Sequence, residues 1–596
     1  MMLLALLASL APALALVPDG SRTFEEMLPA RDGVKLHTRV VLPRNYEGKK
    51  FTAIMDRSPY GYGGLEWFTD LFMPAGFVAV GQDMRGTEKS EGLFSIWHSD
   101  ADDSQDLGDW VVQQPWSNGE IYTFGASADG LGAFTTVHNS PAWLKAQYFI
   151  WTSSIGYDVF YPGGALLQEL VDSWIHGTVE GGWGDECYEE IKKNEMRTDW
   201  WDAVELTGQY DKIKFPTAFW AGWYDIFLVG NLAAYKGCNE ESDPAVRYTS
   251  KILLDPLGHC QSGAPFFPKD LIEGRTLLGL MQAYEVYGIR PVVRTVKNVT
   301  FYVMSSNDSA GLDTANYWTT LDAFPTPRMD TLYLHSDGSA SPTPPTSRAP
   351  RTLPSGLPGL LSDSSSYTYN PADPVPTVGG SNLDMPCGPL DQSDIDTRAD
   401  VLTFQTPPFE APLFLTGPLF ADLYVSSDSI DTDFMVRISD VYPTGEVRLL
   451  QDSAVRMRWR EGGLQPVYMK PDQVYAVTVS LWNTSYALAP SHSLRIAVTS
   501  SNYPRFSANP NTGDLLIQNS TLKTPVIAQN TLHHSERYPS AVRLPVVSRA
   551  DMPQLHDIKG VFGQAYPHVD VEQILQSHPD LFNEIANRRA RSPKSQ

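Results

Sequence analysis

A chain of 596 residues has ample length for a core and allows up to about four domains. Its 42% hydrophobic and 11% aromatic content excludes disorder, 45 Pro and only 19% charged residues exclude a coiled coil, and four Cys exclude a disulfide scaffold. A net charge of −24 repels phosphate backbones and anionic membrane surfaces, so no nucleic-acid partner is expected.

Residues 1–17, MMLLALLASLAPALALV, form an apolar stretch too short to span a bilayer. Ala13-Leu14-Ala15 fits a small-residue cleavage site, although the stretch has no Lys or Arg before it. Residues 1–15 are therefore predicted to be a signal peptide, and the protein to be secreted or lumenal. No later run is long enough for a membrane span in the mature chain. Four sequons, at Asn298, Asn307, Asn483 and Asn519, fit a glycoprotein. The cysteines are Cys187, Cys238, Cys260 and Cys387, which permit two disulfides in three connectivities. A Cys238–Cys260 bridge would pin the loop after His259; buried free thiols are the alternative. No C-x-x-C pair or His cluster points to a metal.

From residue 20 to 294 short apolar runs alternate with amphipathic stretches. Phe51–Met55, Phe77–Val80, Ile121–Phe124, Thr217–Ala221 and Lys251–Leu254 read as buried strands. Strands alternating with helices imply a mostly parallel sheet. Residues 155–212 are rich in Trp and Glu, with helical spacing around Ala165–Ile175 and Cys187–Val204, and read as a helical cap inserted over the sheet. The acidic run Asp100–Asp109 reads as a solvated helix face. From 295 to 550 short β-rich runs dominate, including Val299–Met304, Thr331–His335 and Leu413–Thr416. Leu419, Ala421, Leu423 and Val425 alternate with other residues, so one strand face is buried. This second unit is predicted to be a β-sandwich of the jelly-roll kind, with an exposed loop at Gly338–Pro358. Residues 551–596 read as a C-terminal tail with a polar helix over Val569–Ala590.

The segment Ile121-Tyr122-Thr123-Phe124-Gly125-Ala126-Ser127-Ala128-Asp129-Gly130 runs from an apolar strand into Gly-x-Ser and then into small residues. That is the layout of a nucleophile elbow, a sharp turn that presents a serine hydroxyl at a helix N-terminus. The usual G-x-S-x-G has its second Gly one place earlier; here it is Gly130. A serine hydroxyl needs a base, and in this fold the order is Ser, Asp or Glu, His. Phe219–Asp225 is an apolar strand ending in Asp, and Ile252–His259 is another strand followed by a loop His. Ser127, Asp225 and His259 are thus the candidate triad, with Asp255 as the rival carboxylate.

These residues sit within a longer series: Arg31–Leu36, Arg57-Ser58-Pro59-Tyr60, Asp83-Met84-Arg85-Gly86, Ser90-Glu91-Gly92 and Gln114–Gly119. Asp373–Thr377, Gly379-Gly380, Ser500–Phe506 and Asn509–Gly513 continue it in order. From about residue 22 to 550 the chain resembles the cocaine-esterase-like and X-prolyl dipeptidyl-peptidase-like serine hydrolases. The resemblance implies an α/β-hydrolase domain with a helical cap, followed by a C-terminal galactose-binding-like jelly roll. It implies Ser127 as nucleophile, His259 as base and Asp225 as orienter. It adds the Tyr60 hydroxyl and the Ala128 N–H as the oxyanion hole; the family usually has Tyr where this chain has Ala128.

The implied chemistry is cleavage of a small-molecule ester or amide through an acyl-enzyme, with no cofactor. Trp151, Trp174, Trp183, Trp220 and Trp223 are candidate pocket walls, each with core packing as the plain alternative. Asp129 or the Asp185-Glu186 pair would bind a substrate's ammonium if the enzyme is an α-amino-acid ester hydrolase. X-Pro dipeptidyl-peptidase activity and an inactive hydrolase fold kept for binding are the other readings.

Overall fold

The computed structural model describes residues 21–61, 72–178, 183–260, 267, 270–289, 296–346, 351–352, 358–359, 363–516 and 524–577. The leader, the Asn519 sequon and part of Gly338–Pro358 lie outside these residues. The N-terminal sheet is built from β1 (Arg22–Pro29), β2 (Lys35–Leu42), β3 (Phe51–Ser58), β4 (Phe77–Asp83) and β5 (Ser117–Ala126). It continues through β6 (Leu144–Ile150), β7 (Thr217–Gly222), β8 (Lys251–Asp255), β9 (Val299–Ser305) and β10 (Tyr317–Leu321). Their hydrogen-bonded order is β1-β2-β4-β3-β5-β6-β7-β8-β9-β10, parallel from β4 to β9 and antiparallel at both ends. Parallel strands covered on both faces read as unbroken apolar runs, and β4, β7 and β8 are buried at every position. The helices Ala128–Thr135, Leu228–Glu240 and Asp270–Val286 pack on these strands.

Val299–Met304, expected in the second unit, instead forms β9 and pairs in parallel with β8. A short apolar run shows that it is buried, not which sheet it joins. β9 also pairs with the sandwich strand Tyr475–Leu488 at Tyr486 and Ala487, which ties the two units together. In the sandwich, Leu413–Ser427 pairs with Tyr475–Leu488, Ala528–His533 and Ala541–Val546. A second sheet holds Leu402–Gln405, Ser493–Thr499, Asp433–Val441 and Val447–Arg456. Leu419, Ala421, Leu423 and Val425 are buried, as their alternation requires, while Phe420, Asp422 and Tyr424 between them are partly exposed.

The cap is built from the helices Gly156–Phe160, Gln168–Thr178 and Trp183–Lys193. Glu195, just past the last of these, is buried against the sandwich. It accepts hydrogen bonds from Arg458 Nε at 3.1 Å, Trp459 Nε1 at 2.9 Å and the Leu516 N–H at 2.8 Å. Arg458 also pairs with Asp431, so both charges are compensated inside the protein.

Two expectations change. Cys260 is bonded to Cys387, with Cα atoms 6.1 Å apart, and not to Cys238. The loop after β8 faces a sandwich loop, whereas Cys238 lies buried in the helix Leu228–Glu240 as a free thiol. Cys187 is also a buried free thiol, and burial pushes its pKa up to about 11. The expected C-terminal tail is only in part a tail. Its helix Ile558–Ala565 packs on Asp270–Val286 through the buried Phe562, with Lys559 2.9 Å from Glu273. The polar helix described is Val571–Ser577, and residues from 578 onward lie outside the described set. Among the described residues no helix is long and apolar enough to cross a membrane.

Candidate active site

β5 ends at Ala126 and a helix starts at Ala128. Ser127 joins them with φ 55° and ψ −125°, a backbone shape that side chains other than Gly rarely adopt. The turn is held from several sides. Ser127 N–H donates to the Ile150 carbonyl at 2.9 Å, and Thr152 Oγ1 donates to the Ser127 carbonyl at 2.8 Å. A Cβ on Gly130 would lie 2.6 Å from Thr152, and one on Gly125 would lie 2.5 Å from Gly130 Cα. The displaced second Gly therefore has a steric reason: it makes room for the residue that fixes the elbow.

His259 follows β8, and Asp225 follows β7. His259 Nε2 lies 2.9 Å from Ser127 Oγ, and Nδ1 lies 2.5 Å from Asp225 Oδ2. Asp225 Oδ1 accepts the Phe227 N–H at 2.8 Å, which fixes the carboxylate. Both Asp225 and His259 are fully buried, while Ser127 is 8% exposed. The rival Asp255 turns away. It accepts from Trp220 Nε1 and the Leu257 N–H, both at 2.8 Å, and lies 3.5 Å from Arg275. Burial raises the Asp255 pKa, with Arg275 opposing.

Ala128 is the first residue of its helix, so its N–H has no acceptor within the helix. Tyr60 follows β3, and its hydroxyl accepts a hydrogen bond from Trp174 Nε1 at 2.7 Å. The end of β3 is anchored by Arg57, which pairs with Asp100 and donates to Gln82 at 2.8 Å. Arg85 pairs with Asp103 at 2.6 Å and with Asp32 at 2.7 Å. Asp100 and Asp103 are thus buried ion-pair partners, which corrects the reading of Asp100–Asp109 as a wholly solvated face.

Ser127 opens on a chamber of about 10 Å³, room for one water at most. Its floor is Ala128 and Leu131, and the cap contributes Val159, Phe160, Leu170 and Trp174. Trp97, Ile226, Phe227 and the sandwich residue Leu383 close it. Apart from Ser127 the lining side chains are apolar. Val159, Ile226 and Phe227 also line a cleft of about 190 Å³ that carries Ser153, Asp158, Ser453, Thr478 and Ser480.

Of the expected walls, Trp174 lines the chamber. Trp151 packs behind His259, with ring centroids 5.7 Å apart. Trp223 lines a different cavity of about 440 Å³, between the helix Leu228–Glu240 and the sandwich. Trp220 is core, and the Trp183 side chain lies outside the described residues. Asp129 is buried in the first turn of the helix Ala128–Thr135 and does not line the chamber. Asp185 is 87% exposed, and Glu186 borders a separate cleft. Of the chamber's lining, sequence reasoning found Ser127, Ala128 and Trp174 and missed the rest, Trp97, Phe160, Phe227 and Leu383 among them. For Phe227 a signal exists, since it lies two residues past Asp225. Among the described residues no group of three His, Cys, Asp or Glu is placed to hold a metal ion.

Ser, Asp and His in that chain order, each at the carboxyl end of a strand in a parallel sheet, define an α/β-hydrolase. Residues 32–189 match the family model of the X-Pro dipeptidyl-peptidase (S15 family), and residues 292–543 match its C-terminal non-catalytic domain. The chain is 27% identical to the cocaine esterase of Rhodococcus sp. (strain MB1 Bresler), over 88% of this chain and 98% of that protein. It belongs to the cocaine-esterase-like, X-prolyl dipeptidyl-peptidase-like serine hydrolases, which cleave ester or amide bonds. Its fold is similar to that of an α-amino acid ester hydrolase, with TM-score 0.74 and 22% identity over 90% of this chain and 98% of the other. An aminopeptidase from a marine sediment Thaumarchaeota archaeon gives TM-score 0.72 and 22% identity, over the same shares of the two chains.

Proposed function

We propose that Ser127, His259 and Asp225 carry out acyl transfer to water, and that the preferred substrate is an ester with a neutral, apolar acyl group. The carrying observation is the bonded series Ser127–His259–Asp225 opening on an otherwise apolar chamber. His259 takes the Ser127 proton as the hydroxyl attacks the carbonyl. The Tyr60 hydroxyl and the Ala128 N–H hold the oxyanion. His259 then protonates the leaving group, and water repeats the sequence on the acyl-enzyme. The acyl group displaces cap side chains to enter, and the leaving group faces the polar cleft beyond Val159, Ile226 and Phe227. An ammonium in the chamber would be buried with no carboxylate lining it, at a cost of several kcal/mol. That disfavours the α-amino-acid ester and X-Pro readings.

A fluorophosphonate probe should label the wild type and not Ser127→Ala. p-Nitrophenyl butyrate should exceed its 2-amino analogue in kcat/KM by at least about tenfold, equivalent to about 1.4 kcal/mol. Absence of labelling in folded enzyme would remove the hydrolytic role of Ser127, and preference for the amino ester would remove the neutral-acyl reading.

The chain is further proposed to be exported. The apolar leader with Ala13-Leu14-Ala15 supports this, as does a disulfide, a bond that persists mainly in oxidising compartments. Asn307 is exposed and is the sequon best placed for a glycan, whereas Asn298 and Asn483 are half-buried. Amino-terminal sequencing of the mature protein should begin near residue 16; a mature chain that keeps residues 1–15 contradicts cleavage.

A further inference from the structure

We infer that Trp174 sets the hydroxyl of Tyr60 as an oxyanion donor, its indole N–H occupying the phenol oxygen so that the phenolic proton is turned away from the indole and is donated to the oxyanion when that forms. This rests on the reading of Tyr60 given above. The Trp174 Nε1 to Tyr60 Oη distance is 2.7 Å. An indole N–H only donates, so the tyrosine oxygen is the acceptor in this bond and its own proton must point elsewhere. Trp174 lines the chamber beside Ser127 and Ala128, and Tyr60, which is not itself among the lining residues, packs against the same apolar cluster as Trp174 and Ala128.

The indole is itself held in place. It stacks on Trp97 with centroids 5.1 Å apart and planes 13° apart, and meets Phe94 edge-on at 6.0 Å. Tyr60 comes from the end of β3 and Trp174 from the cap helix Gln168–Thr178. The cap thereby supplies a bond to the catalytic unit as well as a wall.

Two effects follow. A phenol whose rotor is set before reaction needs no reorganisation when the oxyanion forms. A hydrogen bond donated into the phenol oxygen also polarises its O–H and makes it a stronger donor. Both act on charge that develops in the transition state, so both belong to kcat more than to KM. A residue that is only a wall would act on KM, and independently of Tyr60.

The test is a double-mutant cycle in the full-length enzyme: wild type, Trp174→Phe, Tyr60→Phe and the double variant, assayed with p-nitrophenyl butyrate. Active sites are counted by end-point fluorophosphonate labelling. Tyr60→Phe should lower kcat by about a hundredfold. Trp174→Phe should lower kcat roughly five- to tenfold, with KM changed by less than about twofold. The double variant should be no slower than Tyr60→Phe alone. Wild-type kcat in Trp174→Phe, or a loss that multiplies in the double variant, overturns the inference. Wild-type kcat in Tyr60→Phe overturns the oxyanion reading itself and this inference with it. If Trp174→Phe does not fold, β-(3-benzothienyl)alanine at position 174 keeps the shape of indole with sulfur in place of N–H; it should give the same kcat loss, and wild-type kcat would overturn the inference.

Discussion

Asp225 and Asp255 are both fully buried carboxylates, and geometry alone separates them. Asp225 reaches His259 Nδ1, whereas Asp255 sits between Trp220, Leu257 and Arg275. In the proposed triad, Asp225 keeps the proton on Nδ1 and leaves Nε2 as the acceptor for Ser127. An amide at position 225 can hold Nδ1 by donating to it, which moves the ring proton to Nε2 and removes that acceptor. Asp225→Asn is therefore expected to lower kcat by about ten-thousandfold with little change in KM. Asp255→Asn should instead act on stability, because it removes a negative charge 3.5 Å from the buried Arg275 guanidinium. Steady-state kinetics and melting curves of the two variants check this, and a kcat collapse in Asp255→Asn alone would transfer the orienting role to Asp255.

At the scale of elements, what is legible in the sequence is what short-range pattern encodes. Ser127, Asp225 and His259 each follow an apolar strand and a turn, so a local reading finds them, and the closeness of Asp255 to His259 in sequence ranks it below Asp225. Tyr60 and Ala128 carry no such mark and are legible only through the resemblance that the flanking motifs support. The chamber walls are less legible. Trp97 lies in a loop where Ile96 and Trp97 have φ of 52° and 62°, so no helical or strand period points to it. Leu383 arrives from the sandwich, and its loop is seated by the Glu169 carboxylate of the cap helix. That carboxylate accepts the N–H groups of Leu383, Asp384 and Met385 at 3.1, 2.6 and 3.2 Å. Pairings over such separations leave no periodic trace. Composition alone misleads in the same way: Trp151 and Trp223 have the right chemistry for a wall but pack elsewhere. Val299–Met304 and Cys260 repeat the lesson for a strand and a disulfide, since burial and proximity in sequence do not name a partner.

For the whole molecule, the junction of the two units holds one buried histidine whose charge should make it sensitive to pH. His492 is fully buried, with Nδ1 2.8 Å from Asp440 and Nε2 3.1 Å from Asp308. Asp308 lies just past β9 of the catalytic sheet, and Asp440 lies on the sandwich strand Asp433–Val441. Tyr486 donates to Asp440 at 2.8 Å from the strand that pairs with β9, and the Tyr442 ring packs 4.7 Å from the imidazole. A ring bonded to a carboxylate at each nitrogen suits the imidazolium. Burial opposes that charge, but the bonds and charges of Asp440 and Asp308 outweigh it and raise the His492 pKa above 6.5. At Asp308 burial is likewise outweighed, by the Gly311 N–H, the Ser306 hydroxyl and His492, and its pKa falls below 3.8. Burial pulls Asp440 upward, which trims the gain at His492 without reversing its sign. The His492 contribution is therefore fully present below the unfolded value near 6.5 and is lost as pH rises through the raised folded value. The Asp308 contribution is present above about 3.8 and is lost as pH falls below it. Docking of the two units should thus be strongest between about pH 4 and 6.5. Replacing His492 by Gln should lower the melting temperature most near pH 6, by roughly 1–2 °C for each kcal/mol lost. The gap between wild type and variant should narrow steadily toward pH 8.5. Calorimetry across that range decides the matter: a gap that stays constant, or widens as pH rises, would mean that neutral hydrogen bonds rather than an imidazolium hold the junction.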